Sequence, residues 1–264
     1  MLLSKAIKLV AAFDHRHIFI DPDPDPAKSC AERARMFALP RSSWEDYDKA
    51  LISKGGGVFP RGQKSIPLSP QMQDMLGLPG RETDPETLMS AILRADAGLL
   101  WFGGIGTYVK AAGENNIQVG DPANDSVRIN GSELRAHVIV EGANLGTTKG
   151  GRIEYAQAGG RINTDFIDNS AGVDCSDNEV NIKIALAAAK RARRIDEPGR
   201  VALLASMTDE VAKLVLKNNR LQALSLSIAQ RGGSGGAAAT MPSYLRLIEL
   251  LEDAGKLDRR TEGL

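Results

Sequence analysis

The chain has 264 residues, of which 42% are apolar and 25% are charged, as in an ordinary folded globular protein. Its 33 basic and 33 acidic residues cancel, so no excess of positive charge predicts nucleic-acid binding. Within the sequence, no apolar run approaches the ~20 residues of a membrane-spanning helix, and charges interrupt the start of the chain, which argues against a signal peptide. Two cysteines, Cys30 and Cys175, are too few for a disulfide framework or a zinc site. Together these features predict a cytoplasmic protein.

The first third of the chain is expected to open with a strand and continue through helices. We expect residues 1–8 to end a helix, and residues 9–13 to form a buried parallel strand that ends at Asp14. Ser29 is followed three residues later by Glu32, which is the spacing of a capping box. This pair therefore predicts the start of a helix.

The middle of the chain alternates between helical stretches and apolar runs. Thr83 and Glu86 again have the spacing of a capping box and predict a helix N-terminus. Apolar runs predict strands at residues 98–102, at 134–140 and within 162–167. Such alternation indicates a parallel sheet whose strands are joined by right-handed crossovers.

The last third has helical periodicity. An alanine-rich helix over residues 185–194 is expected to break at the Pro198-Gly199 pair, and residues 201–230 carry apolar side chains at helical spacing. The glycines of residues 232–236 predict a loop, followed by an amphipathic helix over residues 241–251. We expect these apolar stripes to pack in a core.

Two segments place small and polar residues where ligands could approach. Residues 137–140 predict a buried strand that delivers Glu141, Gly142 and Asn144 into a tight loop. A second segment, residues 169–181, begins with a turn and continues with polar residues at helical spacing. Open α/β sheets bind ligands beyond the carboxyl ends of their strands, so the two segments predict a cofactor cleft.

These segments resemble the amino-acid dehydrogenases of the glutamate dehydrogenase superfamily. The matching residues are Glu141, Gly142, Ala143, Asn144, Thr147 and Thr148 in the first segment, and Asn169, Gly172, Val173, Ser176 and Glu179 in the second. Ala171 departs from the pattern, because it stands where the family usually has a glycine. Longer runs at residues 13–22, 39–48, 52–59 and 101–110 are similar to the very large bacterial NAD-specific glutamate dehydrogenases.

The resemblance implies an α/β fold with a truncated Rossmann-like parallel sheet followed by an all-helical region. Residues 1–180 would form a partial NAD-binding domain, and residues 181–264 the helical region. The family's first strand, its glycine-rich turn and its catalytic lysine and aspartate have no match in the sequence. We therefore expect an internal piece of a longer enzyme, with the catalytic residues upstream of it and little or no activity alone.

Asp14 is the candidate for the adenosine ribose of the cofactor. An acid at the end of the second strand of a dinucleotide fold binds the ribose hydroxyls and disfavours a 2′-phosphate, which predicts NAD rather than NADP. The neighbouring Arg16 weakens this inference, because it could accept a 2′-phosphate. The alternative is that Asp14 only caps a turn.

Four residues are candidates for the nicotinamide end of NAD. The resemblance places Gly103, Gly104, Glu141 and Asn144 there, at the ends of two strands. The carboxylate of Glu141 could instead order its own loop by accepting backbone N–H groups, and the glycines could serve only a tight turn. Residues 147–148 are expected to cap the next helix.

Three residues of the second segment complete the candidate site. By resemblance, Asn169 would face the nicotinamide ribose, Ser176 would help to hold the substrate's side-chain carboxylate, and Val173 would line its aliphatic part. Alternatively, Ser176 and Glu179 form a capping box at a helix N-terminus. The spacing of His15, His17 and Cys30 does not support a metal site.

The resemblance implies an NAD-dependent glutamate dehydrogenase, which converts L-glutamate to 2-oxoglutarate and ammonia. The intact enzyme would be a homo-oligomer without nucleic-acid or membrane partners. Two alternatives stay open: a stand-alone dinucleotide-binding or assembly module without catalysis, and a dehydrogenase for another amino acid on the same scaffold.

Overall fold

The computed structural model describes residues 3–262 and divides into two compact units, Met1–Phe166 and Ile167–Leu264. The first unit combines helices with parallel and antiparallel strands, and the described part of the second is built from helices. This confirms a mixed α/β chain. Among the described residues, no helix is both long and apolar enough to cross a membrane.

The first unit contains ten short strands and six helices among its described residues. The strands are β1 (Ala11–Phe13), β2 (His17–Ile20), β3 (Gly57–Pro60), β4 (Ile66–Pro67), β5 (Glu82–Thr83), β6 (Leu100–Phe102), β7 (Val109–Lys110), β8 (Ile129–Asn130), β9 (Val138–Glu141) and β10 (Arg161–Ile162). The helices are α1 (Pro26–Ala38), α2 (Pro70–Leu76), α3 (Pro85–Leu93), α4 (Asn116–Val119), α5 (Lys149–Gln157) and α6 (Asp165–Asp168), the last of which extends past the division.

The first predicted strand lies in an antiparallel sheet, so its parallel assignment was wrong. β1 pairs antiparallel with β2, which pairs antiparallel with β3. The reason is the four-residue turn from Asp14 to His17, which returns the chain directly instead of through a crossover. Residues 3–8 contain a turn rather than the predicted helix end, and Met1 and Leu2 lie outside the described residues.

A three-stranded parallel sheet, in the order β10-β9-β6, carries the strands predicted in the middle of the chain. Each predicted strand is present but shorter or shifted by a few residues. α5 connects β9 to β10, as expected for a strand–helix–strand crossover. The buried side chains of Phe102 and Ile139 anchor one face of this sheet in a core with Val109, Ile129 and Tyr155.

Aspartates, not the predicted serine and threonine, cap the first long helices. Asp25 precedes Pro26 and accepts the N–H groups of Ala27 and Lys28, so Ser29 lies inside α1. Asp84 caps α3 in the same way, one residue beyond Thr83. In both cases a proline in the first helical turn fixes the start, because its missing N–H costs nothing there.

In the described residues, the second unit consists of the end of one helix and four further helices. They are the end of α6, then α7 (Ser170–Arg191), α8 (Glu197–Gln230), α9 (Gly233–Asp253) and α10 (Arg259–Glu262). α7 packs on α8, and α8 packs on α9. Pro198 lies in the first turn of α8 and does not break a helix; the alanine-rich helix α7 has already ended at Arg191.

The predicted loop at residues 232–236 was wrong, because α9 already begins at Gly233. The N–H of Gly236 donates to the carbonyl of Gly232 at 2.8 Å, which is a helical bond. Three alanines follow, and alanine has the highest helix propensity. The helix therefore extends back from the amphipathic part through the glycines.

Candidate functional site

Two loops meet at the carboxyl edge of the parallel sheet. β6 and β9 end side by side, with Phe102 opposite Glu141. The carbonyl of Phe102 accepts the N–H groups of Gly142 and Ala143, at 2.8 and 3.1 Å. We call residues 142–147 the edge loop; it lies beside the loop that begins at Gly103. The structure therefore brings Gly103, Gly104, Glu141 and Asn144 to one edge.

Glu141 faces the protein interior at this edge. Its residue is 0% exposed. One carboxylate oxygen accepts the N–H of Thr147 at 2.9 Å, and the other accepts a short hydrogen bond from Arg152. Burial raises the pKa of Glu141, although Arg152 and the Thr147 N–H act in the opposite direction. Of the two roles considered from sequence, the geometry is that of a carboxylate ordering its own loop.

Arg152 joins Glu141 to a second carboxylate. Its side chain is 11% exposed and lies in the first turn of α5. Its Nη2 atom is 3.9 Å from Oδ1 of Asp165, at the start of α6. The other oxygen of Asp165 accepts the N–H of Leu145 at 2.8 Å. One guanidinium therefore lies against both carboxylates that hold the edge loop.

The edge loop has a strained centre. Leu145 has φ = +56°, the left-handed region that a residue with a branched side chain rarely occupies. The next carbonyl, of Gly146, accepts the N–H groups of Tyr108 and Val109. Thr148 caps α5 by accepting the N–H of Gly151, which confirms the capping role predicted for that threonine.

The indole of Trp101 explains why two positions at the edge are glycines. A Cβ atom added to Gly103 would lie 2.0 Å from the Trp101 indole, and one added to Gly142 would lie 2.9 Å from it. Neither position can therefore accept a side chain without displacing the indole. Gly104 differs, because an added Cβ would meet nothing within 4 Å. Only Gly104 of the two candidate glycines is open.

The exposed part of the edge combines one side-chain amide with apolar side chains, which suits the uncharged nicotinamide end of a dinucleotide. Asn144 is exposed and offers an amide. Two apolar side chains flank the edge: Ile105 is 97% exposed and Leu145 is 62% exposed. An amide with apolar neighbours suits the nicotinamide ring and its ribose better than it suits a pyrophosphate. A pyrophosphate is bound by the N–H groups of a helix N-terminus or by cations. The residues present therefore fit the nicotinamide end.

Asp14 lies on the turn between β1 and β2. Its carboxylate oxygen accepts the N–H groups of Arg16 and His17, at 2.7 and 2.8 Å. This is the turn-capping role that the sequence left open. Because β2 returns antiparallel, Asp14 does not occupy the end of a parallel strand, the position from which its ribose contact was inferred.

The three remaining candidates lie in the second unit. Asn169 directly precedes α7, while Val173 and Ser176 lie on its exposed surface, with Val173 56% exposed. Ser176 is inside the helix, so the predicted capping box with Glu179 was wrong. The N-cap of α7 is Asn169, seven residues before the position that the box requires.

α8 holds the start of α7 through a residue that sequence reasoning missed. The side-chain amide of Asn219 donates to the carbonyl of Ile167 at 3.0 Å and to the hydroxyl of Ser170 at 2.7 Å. Its neighbour Asn218 donates to Asp174 at 2.9 Å. Asn219 therefore contacts the chain on both sides of Asn169, through the Ile167 carbonyl and the Ser170 hydroxyl.

Sequence reasoning also missed Arg152, Asp165 and Trp101. Arg152 stands in the first turn of the helix that follows the edge loop, and Asp165 follows the next strand. In a parallel strand–helix–strand unit both positions return to the carboxyl edge. That topology, applied to charged residues, is the signal that could have found them. Among the described residues, no three His, Cys, Asp or Glu side chains form a group able to hold a metal ion.

Comparison with known proteins gives one family. The model of the bacterial NAD-glutamate dehydrogenase catalytic domain matches residues 1–229. NAD-specific glutamate dehydrogenases are 53% identical in Mycobacterium tuberculosis, 52% in Pseudomonas aeruginosa and 51% in Halomonas elongata, in each case over 100% of this chain. The chain spans 16% of the length of each of these relatives. It therefore belongs to the bacterial NAD-glutamate dehydrogenase catalytic-domain family.

Proposed function

We propose that this chain is a segment of an NAD-specific glutamate dehydrogenase, which oxidatively deaminates L-glutamate to 2-oxoglutarate and ammonia. Residues 1–180 would contribute part of a Rossmann-like NAD-binding domain, and residues 181–264 a helical region. The observation that carries the proposal is the edge loop. Together with Glu141 it carries the E-G-A-N sequence on which the resemblance rests, and it lies at the carboxyl edge of a parallel sheet, where such folds bind dinucleotides.

The edge would hold the nicotinamide end of NAD, which supplies the hydride acceptor when bound. Gly104 leaves room for close approach, and the exposed amide of Asn144 would bond the carboxamide or the ribose. Gly103 would not contact NAD itself; its missing side chain leaves the space that the Trp101 indole occupies. Glu141 would act through the loop that its carboxylate orders.

The remaining contacts are proposed from the family match. Asn169 would face the nicotinamide ribose, with Val173 and Ser176 toward the aliphatic part and side-chain carboxylate of glutamate. On that match alone, and beside its turn-capping role, Asp14 would contact the adenosine ribose. The catalytic groups would come from parts of the enzyme that this chain does not cover. We propose that the intact enzyme is a cytoplasmic homo-oligomer.

The test is steady-state kinetics of the full-length dehydrogenase with Asn144→Ala. Loss of one hydrogen bond to the cofactor should lower kcat/KM for NAD about tenfold. The KM for glutamate should stay unchanged. Gln157→Ala is the matched control, because Gln157 is an exposed amide at the opposite end of α5.

Two results would contradict the proposal. One is an Asn144→Ala enzyme whose NAD kinetics match those of Gln157→Ala. The other is glutamate-dependent NADH formation by the 264-residue chain alone at the rate of the full-length enzyme, since the catalytic groups are assigned elsewhere.

A further inference from the structure

We propose that Arg152 is a positioning residue of the cofactor edge: through Glu141 and Asp165 it holds the edge loop in the conformation that presents Asn144. This inference rests on the proposed function, because it assumes that the edge loop contacts NAD. Arg152 itself is too far inside to touch the cofactor, with a side chain that is 11% exposed.

The first step is that two carboxylates fix two N–H groups of the loop. Glu141 accepts from Thr147 at 2.9 Å, and Asp165 accepts from Leu145 at 2.8 Å. Charged acceptors make the stronger kind of backbone hydrogen bond. The two bonds lie on either side of Gly146, so together they set the path of the second half of the loop.

The second step is that one cation lies against both carboxylates. Arg152 makes a short hydrogen bond to Glu141 and lies 3.9 Å from Asp165. Without the charge of Arg152, the buried carboxylate of Glu141 would lose a cationic partner and would stay beside a second negative charge. Loss of a cationic partner favours the protonated form of a buried carboxylate, or draws water into its site. Either change weakens the bond to the Thr147 N–H.

The third step is that the loop does not hold this shape by itself. Leu145 has φ = +56°, a left-handed conformation that is unfavourable for leucine. A released loop would relax at this residue. Asn144 directly precedes it, so relaxation would turn the amide away from its place at the edge.

The position of Arg152 in its helix supports a role outside that helix. A cation in the first turn is disfavoured by the helix dipole, whereas carboxylates at the same end are favoured. Arg152 lies at the N-terminal end of α5 with Glu141 and Asp165 against it. The position of the arginine therefore favours its contacts with the two carboxylates and does not stabilise α5.

The experiment compares Arg152→Met with Arg35→Met in the full-length dehydrogenase. Arg35 is the matched control, since it also pairs with a buried glutamate in the first unit but contacts no part of the edge loop. We expect Arg152→Met to raise the KM for NAD about tenfold, the effect of losing the Asn144 contact. The KM for glutamate should stay unchanged, and Arg35→Met should leave both KM values unchanged. Destabilisation alone lowers the active fraction, and so the apparent kcat, without changing KM.

Arg152→Lys keeps the experiment decisive if the methionine variant does not fold. Lysine retains the charge but loses the planar fork, so we expect a smaller rise, about threefold, in the KM for NAD. The inference is overturned if the folded Arg152 variant has the same KM for NAD as Arg35→Met. If Asn144→Ala nevertheless lowers kcat/KM for NAD, the proposed function stands and only the role of Arg152 fails. If neither variant affects NAD, the edge itself is misassigned.

Discussion

Two buried glutamates in the first unit make the same contacts with opposite electrostatic results. Glu141 accepts the N–H of Thr147 and pairs with Arg152; Glu32 accepts the N–H of Asp48 and pairs with Arg35. Burial dominates at Glu141 and raises its pKa, whereas the hydrogen bonds from Arg35 dominate at Glu32 and lower its pKa.

The difference follows from how much water reaches each pair. The side chain of Arg35 is 47% exposed and that of Glu32 is 5% exposed, against 11% and 0% for Arg152 and Glu141. When one partner of an ion pair stays in water, its desolvation free energy is small. When both partners are buried, the desolvation free energies of both ions oppose ionisation. The fold therefore favours the ionised form of Glu32 and disfavours the ionised form of Glu141. The disfavoured carboxylate lies at the edge where we place the cofactor.

The largest expected difference between the two regions is in local stability after loss of each arginine. Arg152→Met leaves an unpaired buried charge and should lower the local opening free energy by about 3 kcal/mol or more. Arg35→Met should lower it much less, since water can reach that site. Hydrogen–deuterium exchange of the full-length enzyme, followed over residues 142–157 and 26–38, measures both.

If exchange became faster by the same factor in both segments, the difference in burial between the two pairs would not affect local stability. If exchange became faster only in residues 26–38, the Arg35 pair would be the more important one for local stability.

A smaller effect is expected from crowding the Glu141 carboxylate. A Cβ atom added to Gly146 would lie 2.9 Å from the Phe102 ring and 3.1 Å from Oε1 of Glu141. Gly146→Ala should therefore lower the unfolding free energy by about 1–3 kcal/mol, as overpacking does. Gly98→Ala is the control, because its added Cβ meets nothing within 4 Å. Thermal denaturation of the two variants tests this; identical midpoints would show that the carboxylate has room to move.

Local pattern was enough to predict the parallel sheet and failed at the antiparallel one. The predicted strands of residues 98–102 and 134–140 are followed closely by Gly103 and Gly142, and both strands are present. The run that ends at Phe13 is also apolar, but its pairing depends on the turn that follows. Asp14 supplies that turn by accepting two N–H groups, and sequence reasoning considered this only as an alternative.

The candidate site was predictable where it carries the motif, and it was not predictable in the charged residues that support the motif. The loop containing Glu141 and Asn144 was found from its motif, and the structure places both at the sheet edge. Arg152 and Asp165 lie 11 and 24 residues beyond Glu141 and reach it only through the fold. Their contacts are tertiary, so no local spacing could indicate them. The opposite pKa directions of the two glutamates depend on burial, which the sequence does not give.

The smallest expected effect is in the pH dependence of stability, where the two glutamates should differ in sign. The pKa of Glu32 is lowered by folding, so its ionisation stabilises the protein above its ordinary value, about 4.3, and this contribution is lost as pH falls through the lowered pKa. The pKa of Glu141 is raised by folding. Stability is therefore lost as pH rises from about 4.3 through the raised pKa, because the folded state then holds a proton that the unfolded state has released.

Substitution by glutamine removes each ionisation with little change in shape. We expect the stability loss caused by Glu32→Gln to grow as pH rises from about 3 to 6, and the loss caused by Glu141→Gln to shrink as pH rises from about 4 to 7. Thermal midpoints of both variants and the parent enzyme across this range provide the measurement. Parallel pH trends for the two variants would mean that Arg152 outweighs burial at Glu141. The Glu141–Arg152 pair would then be a stabilising contact of the Glu32 kind rather than a cost carried at the proposed cofactor edge.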